Sequence, residues 1–437
     1  MAVSDGNLMV TATPMFHEAD LEPHDLIRQS HIVHRTGRAA LAAGHGSYRV
    51  KAHMERVGKA VGLDQVKAHV ALTEVTTTVM RDNMFRTEVS EVRTVGINAD
   101  RLSELEAYIG SLPATVPPDE IDAEITRIVN KPHLYSPILN ALAAGWACGA
   151  FAFLNGGGPI ECLFALISAS VGQYWRRNLI RRGINQVGVT MLVAAIVCVV
   201  YLTLAWVSDL VWGGYGQHIA GYVSALLFLI PGFPLVTSAL DLFRLDFSAG
   251  ISRLFYGIMI LGSAAVSLWL VSLMAGLEPQ PMMAAALPGP VHWALVAAAS
   301  FLAVLGFAVI YNSPWKMALG AAVIGMICNV LRIALINEGH WMPQAAAAAA
   351  ALLVGLLARM IATPIGVPRL TVSVPAVVIM VPGIAAYQAV FEANAGNLSE
   401  AMAYAVTATF VVLALAVGLG VARMLTDREW TFEQIQG

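Results

Sequence analysis

Charge is what this sequence has least of. Its 437 residues hold 26 Lys and Arg and 29 Asp and Glu, so 13% of positions are charged, against roughly a quarter in average soluble proteins. The shortage is local. Residues 1–137 carry 14 basic and 18 acidic side chains, whereas residues 138–437 carry only 12 and 11. A soluble fold keeps a charged surface in water, and the second part has too little charge for one. A single globular enzyme is thereby excluded; a large membrane part behind an N-terminal part of soluble composition is indicated. Clustered Lys and Arg over a basic face are also lacking, which removes nucleic acid as a partner. Cysteines are few: Cys148, Cys162, Cys198 and Cys328 lie in apolar runs without CxxC spacing, as reduced core residues do. No signal peptide is visible, since Asp5, Glu18, Asp20, Glu22 and Asp25 interrupt the first thirty residues. The expected location of the N-terminal part is therefore the cytoplasm.

Along the chain, residues 1–24 read as a disordered leader and residues 25–133 as a small α+β domain. Helical patterns cover Leu26 to Ala43 and, with Val50, Met54, Val57 and Val61 at helical spacing, the segment after Gly44–Ser47. Two β-like stretches follow, Gln65 to Val79 and Phe85 to Val95, and helical patterns resume at Arg101–Ser111 and Asp119–Asn130.

Beyond His133, ten apolar stretches approach the ~20 residues that span a hydrocarbon core. They lie near 138–155, 159–175, 186–207, 217–240, 254–277, 291–311, 315–336, 343–361, 372–391 and 401–422. Placing the N-terminal domain in the cytoplasm puts eleven basic residues on the cytoplasmic side and leaves only Arg332 outside. The positive-inside rule supports both count and orientation. The fold class expected is a polytopic α-helical membrane protein, with both termini cytoplasmic, in the plasma (inner) membrane.

The membrane part repeats itself. Residues 228–242, FLIPGFPLVTSALDL, match 379–393, IMVPGIAAYQAVFEA, at an offset of 151. That offset aligns Pro231-Gly232 with Pro382-Gly383 and Asp241 with Glu392. A weaker match sets Gln173 and Arg176 against Asn329 and Arg332. With five spans in each copy (138–277 and 291–425), the second must be inverted in the bilayer, the plan of many secondary transporters.

Proline removes a donor and glycine relaxes the backbone, so each Pro-Gly pair interrupts a span. Free backbone groups at membrane depth need protein or water around them, and paired interruptions point to a central site. Asp241 and Glu392 follow their breaks by the same interval. A carboxylate there could hold a substrate ammonium or a proton; the plain alternative is that both mark helix ends. Thr237, Ser238, Tyr387 and Gln388 lie between break and carboxylate and offer hydrogen bonds. Arg176, Arg332, Gln173 and Asn329 are candidate anion partners, with Arg176, clustered with Arg177, Arg181 and Arg182, alternatively a topology determinant. Glu161, after the Asn155-Gly-Gly-Gly-Pro turn, either lines a vestibule or suits a helix N-terminus. His218, His292 and His340 lack ligand spacing, so no metal and no cofactor is assigned.

In the N-terminal part the block GHGSYRVKAHMERVG gathers Ser47, Arg49, Glu55 and Arg56, with Thr73, Arg86 and Arg93 as further candidates. A pairing of Ser47 with His45 or His53 would suggest hydrolysis, but no GxSxG elbow is present and salt-bridge scaffolding is the default.

The segments GHGSYRVKAHMERVGKAVGL, RTEVSEVRTVGIN, GGGPIE and IPGFPLVTSALDLF resemble the N-terminal module of the threonine/serine exporter family. YNSPWKMALGAAVIGMICN and IMVPGIAAYQAVFEA are similar to its smaller companion module, here fused into one chain over residues 25–425. The resemblance implies ten spans, a cytoplasmic N-terminal domain and no enzymatic activity. It also implies export of threonine and serine in exchange for protons, with Pro231-Gly232 and Asp241 at the functional core. The partners implied are a small-molecule substrate, protons and the lipid bilayer, with a homo-oligomer left open. Relatives split into two proteins move dicarboxylates, so succinate-like export is the alternative within transport. A membrane-anchored enzyme or sensor acting through residues 25–133 is the alternative outside it.

Overall fold

The computed structural model describes residues 24–92, 96–212, 219–276, 289–427 and 430. The expected leader, apart from His24, lies outside the described residues.

The N-terminal unit opens with α1 (His24–Ala43) and α2 (Ser47–Ala60), followed by β1 (Gln65–Val70), β2 (Glu74–Arg81) and β3 (Met84–Glu91). Helices α3 (Ala99–Ser111) and α4 (Pro118–Asn130) complete it. The strands form an antiparallel meander in the order β1-β2-β3. Val75, Thr77 and Val79 alternate onto the face that packs on α1, as period-two geometry requires. The Val- and Thr-rich stretch read as one element folds into two strands. Ala71 donates to the Glu74 carbonyl at 2.9 Å and closes the first turn, and Asp82 at φ 54° makes the second.

The remaining described α-helices are mostly apolar and run from six to 29 residues. They are α5 (Pro137–Leu154), α6 (Pro159–Arg181), α7 (Gln186–Trp212), α8 (Ile219–Ser224), α9 (Gly232–Phe243) and α10 (Phe247–Met274). Then come α11 (Gly289–Ile310), α12 (Trp315–Asn337), α13 (Pro343–Ile365), α14 (Arg369–Val378), α15 (Gly383–Asn394) and α16 (Leu398–Thr426). Among the described residues seven helices are long and apolar enough to cross a membrane, and nine spans result if each bent pair counts as one. The bent pairs are α8–α9, turning by 58°, and α14–α15, turning by 46°. Helix α6 is not among the nine: it has 23 residues but carries Glu161, Arg176, Arg177 and Arg181.

The two breaks share one local geometry. Pro231 sits at φ −78°, ψ 56° and Pro382 at φ −80°, ψ 66°. In each, the glycine N–H bonds back two residues, Gly232 to Ile230 and Gly383 to Val381, at 2.8 and 2.9 Å. That is an inverse γ-turn, which proline's fixed φ favours. Helices α9 and α15 then begin and end 151 residues apart, and Asp246 and Asn397, again 151 apart, start α10 and α16 with matching dihedrals.

The N-terminal unit is bonded to one end of the helices. Ala99 donates to the Tyr311 carbonyl at 2.9 Å, and the Asn312 amide bridges Leu134 N–H and Asn98 Oδ1, both at 2.9 Å. Trp430, past the end of α16, lies edge-on to Tyr48, with Arg244 and Arg423 over its ring.

Candidate functional site

The first break opens onto a cavity of about 330 Å³ between the helices and the N-terminal unit. Pro231, Gly232 and Thr237 line it on α9, Asn140 on α5, Gln173 and Arg176 on α6, Arg253 and Tyr256 on α10, and Tyr311 after α11. Gly44, Gly96 and Ile97 close it from the N-terminal unit. Gln173 donates to Asn140 Oδ1 at 2.8 Å, so α5 and α6 are tied where their polar groups face the cavity. Arg177 and Arg181 also line it, and among the described residues no carboxylate does. His133 also lines it; burial, then the nearby Arg177, Arg101 and Arg181 charges, lower its pKa and favour the neutral ring.

Asp241 lies one helical turn beyond Thr237 and is fully buried, 0% exposed. Its Oδ1 accepts the backbone N–H of Ser47 at 3.0 Å, and its Oδ2 lies 3.4 Å from Arg253 Nη1. Ser47 opens α2, whose unpaired N–H groups and dipole favour a carboxylate. Arg253 is 4% exposed and also donates to the His45 carbonyl at 2.8 Å. Arg253 therefore joins the cavity, Asp241 and the N-terminal unit. Next to it, Asp246 accepts from the Ser47 hydroxyl and pairs with Lys51 at 2.5 Å. The Ser47 hydroxyl is thus held by Asp246 rather than by a histidine.

The other residues singled out in the sequence divide into separate places. Ser238 donates to the Gly250 carbonyl at 2.7 Å, packing α9 on α10. Gly383 and Tyr387 line a second cavity of about 240 Å³, largely apolar, beside Leu227 and Ile230. Asn329 is buried on α12, donates to Ser300 at 2.9 Å and accepts from Arg332 Nε at 3.0 Å. Glu161 caps α6 by accepting the Gly158 N–H at 2.6 Å, the helix-terminus alternative. Glu392 accepts from Asn397 at 2.8 Å near the end of α15, in neither cavity. Gln388 is half-buried on α15. Arg93 and His218 lie outside the described residues.

The two breaks touch each other reciprocally. A Cβ on Gly232 would come within 2.7 Å of Val378, and one on Gly383 within 2.5 Å of Leu227. Val378 is to Leu227 as Gly383 is to Gly232, 151 positions on.

Sequence reading missed Asn140, Arg253, Tyr256 and Tyr311 in the cavity wall. For Arg253 a signal existed: a single cation within the apolar run of α10. It also missed that His45 and His53 converge on Glu106 of α3, with Nε2 atoms 3.4 and 3.1 Å from one carboxylate oxygen. Burial pushes the pKa of His45 down to about 4. Burial alone would raise that of Glu106, but its bonds to both histidines and the Arg49 charge hold it well below the usual carboxylate range.

Residues 31–275 match the ThrE threonine/serine exporter family model, and residues 296–425 match a second one, described as "Threonine/Serine exporter, ThrE". The chain is 25% identical over 406 residues to a probable threonine/serine exporter of Mycobacterium tuberculosis, covering 89% of this chain and 74% of that protein. It is 26% identical over 216 residues to a probable succinate transporter subunit, YjjP, of Klebsiella aerogenes, covering 49% of this chain and 81% of that protein. The YjjP of Escherichia coli is 25% identical over 220 residues, covering 50% and 83%. No solved structure matches.

Proposed function

The chain belongs to the threonine/serine exporter family, and from that premise we propose that it exports L-threonine and L-serine from the cytoplasm in exchange for protons. The observation that carries this reading is the cavity at Pro231-Gly232, lined by Arg176, Gln173 and Thr237 and adjoining buried Asp241. The substrate carboxylate meets Arg176, with the N-terminal end of α9 and its dipole beside it. The hydroxyl and ammonium lie toward Thr237 and Asp241. A proton and an ammonium compete for one carboxylate, and that competition produces exchange rather than co-transport. In the state described here Arg253 holds Asp241, so turnover requires that pair to open. Glu392 takes the symmetry-related role at the other membrane face.

Ten spans follow if α6 crosses with the other nine, its charges grouped at its ends. The halves are inverted in this reading. Asp241 near the end of α9 meets the N-terminal unit, while Arg369, which starts α14, reaches Thr426 on that same side. The reciprocal packing of Gly232 and Gly383 supports a two-fold axis between the breaks. The protein then sits in the plasma membrane with its termini in the cytoplasm.

A second reading is export of dicarboxylates such as succinate. It is favoured by one observation: Arg176, Arg177, Arg181 and Arg253 line a cavity that, among the described residues, no carboxylate lines. Uptake of labelled threonine, serine and succinate into proteoliposomes, with and without a pH gradient, separates the two. Gradient-stimulated threonine or serine flux, each competed by the other, upholds the first. Succinate flux alone transfers the substrate to the second, and no flux of any of the three removes both.

A further inference from the structure

Among the described residues, three metal-ligating side chains come together in the N-terminal unit, outside the cavity. His45 precedes α2, His53 follows two turns along it, and Glu106 faces both from α3. His45 and His53 are nearly fully buried, 2% and 5% exposed, with their rings edge to face at 4.8 Å between centroids. One ligand atom from each of the three residues falls within 4.8 Å of the others. Both Nε2 atoms converge on the single oxygen Oε2, at 3.4 and 3.1 Å. Oε1 is taken by Arg49 at 3.1 Å, which fixes the carboxylate's orientation.

As a hydrogen-bond network this arrangement is poor. Both Nδ1 atoms are buried without a hydrogen-bond partner, although buried polar atoms are ordinarily paired. As a coordination site it has two of its three ligand pairs near the required spacing and all three ligand atoms within 4.8 Å of one another. Ligand atoms ~2.0–2.1 Å from a tetrahedral metal stand roughly 3.3 Å apart, close to both nitrogen–oxygen distances. Two imidazoles and a carboxylate make three ligands, leaving one position for water.

We propose that His45, His53 and Glu106 form a binding site for one divalent transition-metal ion of the zinc type. The site adjoins the seam with the membrane helices, because the carbonyl of His45 accepts from Arg253, the partner of Asp241. Metal binding therefore braces the backbone that roofs the cavity. The proposal stands apart from the choice of substrate, since it concerns binding alone.

The test uses the full-length protein without a histidine tag, stripped with chelator and titrated with zinc. Elemental analysis after dialysis counts ions per chain, and cobalt(II) reports geometry through its visible absorption. The expected result is one zinc per chain and a tetrahedral cobalt spectrum. His53→Gln and Glu106→Gln should each weaken zinc binding by at least about tenfold, since even outer-shell losses cost that much. Glu106 is the more exposed of the two, so its variant keeps the test open if His53→Gln fails to fold. No bound zinc in the wild-type protein, or affinity and spectrum unchanged in a folded variant, would overturn the site.

Discussion

The backbone N–H of Ser47 donates to the side chain of Asp241 at 3.0 Å, across 194 positions of sequence. One bond thus ties the first turn of a helix in the N-terminal unit to the carboxylate that follows the first membrane break. The carboxylate read in the sequence as a holder of substrate ammonium or proton, or as a helix-end marker, is bonded to the N-terminal unit and to Arg253.

Asp241→Asn keeps an oxygen to accept from Ser47 and removes the charge that a proton or ammonium requires. The variant is expected to insert and fold normally but to lose gradient-driven threonine flux in proteoliposomes. Flux that still follows the imposed gradient at the wild-type rate would rule Asp241 out as proton carrier.

At the breaks, Gly232→Ala should impair transport more than Gly383→Ala. The added Cβ of the first meets the branched, stiff Val378 at 2.7 Å, whereas that of the second meets the movable ends of Leu227 and Ile230. Pairing Gly232→Ala with Val378→Ala should recover much of the loss, as a double-mutant cycle would show.

Arg176→Gln should raise the KM for substrate roughly ten- to a hundredfold, the equivalent of one charged hydrogen bond at ~1.5–3 kcal/mol. The same change in Arg332, which bonds Asn329 away from the cavity, should leave KM nearly unaltered. Equal effects from both would remove Arg176 as the carboxylate anchor.

His34 is buried between Thr77 and Ser90, bonding each at 2.8 Å, and burial lowers its pKa. Its unfolded form, near 6.5, then binds a proton more tightly than its folded form. The stability it contributes is whole above that value and is lost as pH falls below it. Hydrogen exchange at β2 and α1, corrected for intrinsic rates, should show easier opening at about pH 5.5 than at 7.5. His34→Gln should flatten that difference; an unchanged profile would assign it to other groups.

Much of the architecture was legible because it rests on local chemistry. The shortage of charge after residue 137 marked the membrane part, and apolar length marked its helices. Proline and glycine act on their own backbone, so the positions of both breaks and the 151-residue offset could be read directly. What only the tertiary structure decided is which polar residues share a space. Thr237 and Ser238 are neighbours in sequence, yet one faces the cavity and the other bonds Gly250. Asp241 and Glu392 are aligned by the repeat, yet one is buried against Arg253 and the other is capped by Asn397 near the end of its helix. Arg253, Asn140 and Tyr311 enter the site from separate elements, and His45, His53 and Glu106 meet only when α2 and α3 pack. Hydrophobic period and backbone restriction belong to neighbouring residues, whereas a binding site is made where distant elements converge.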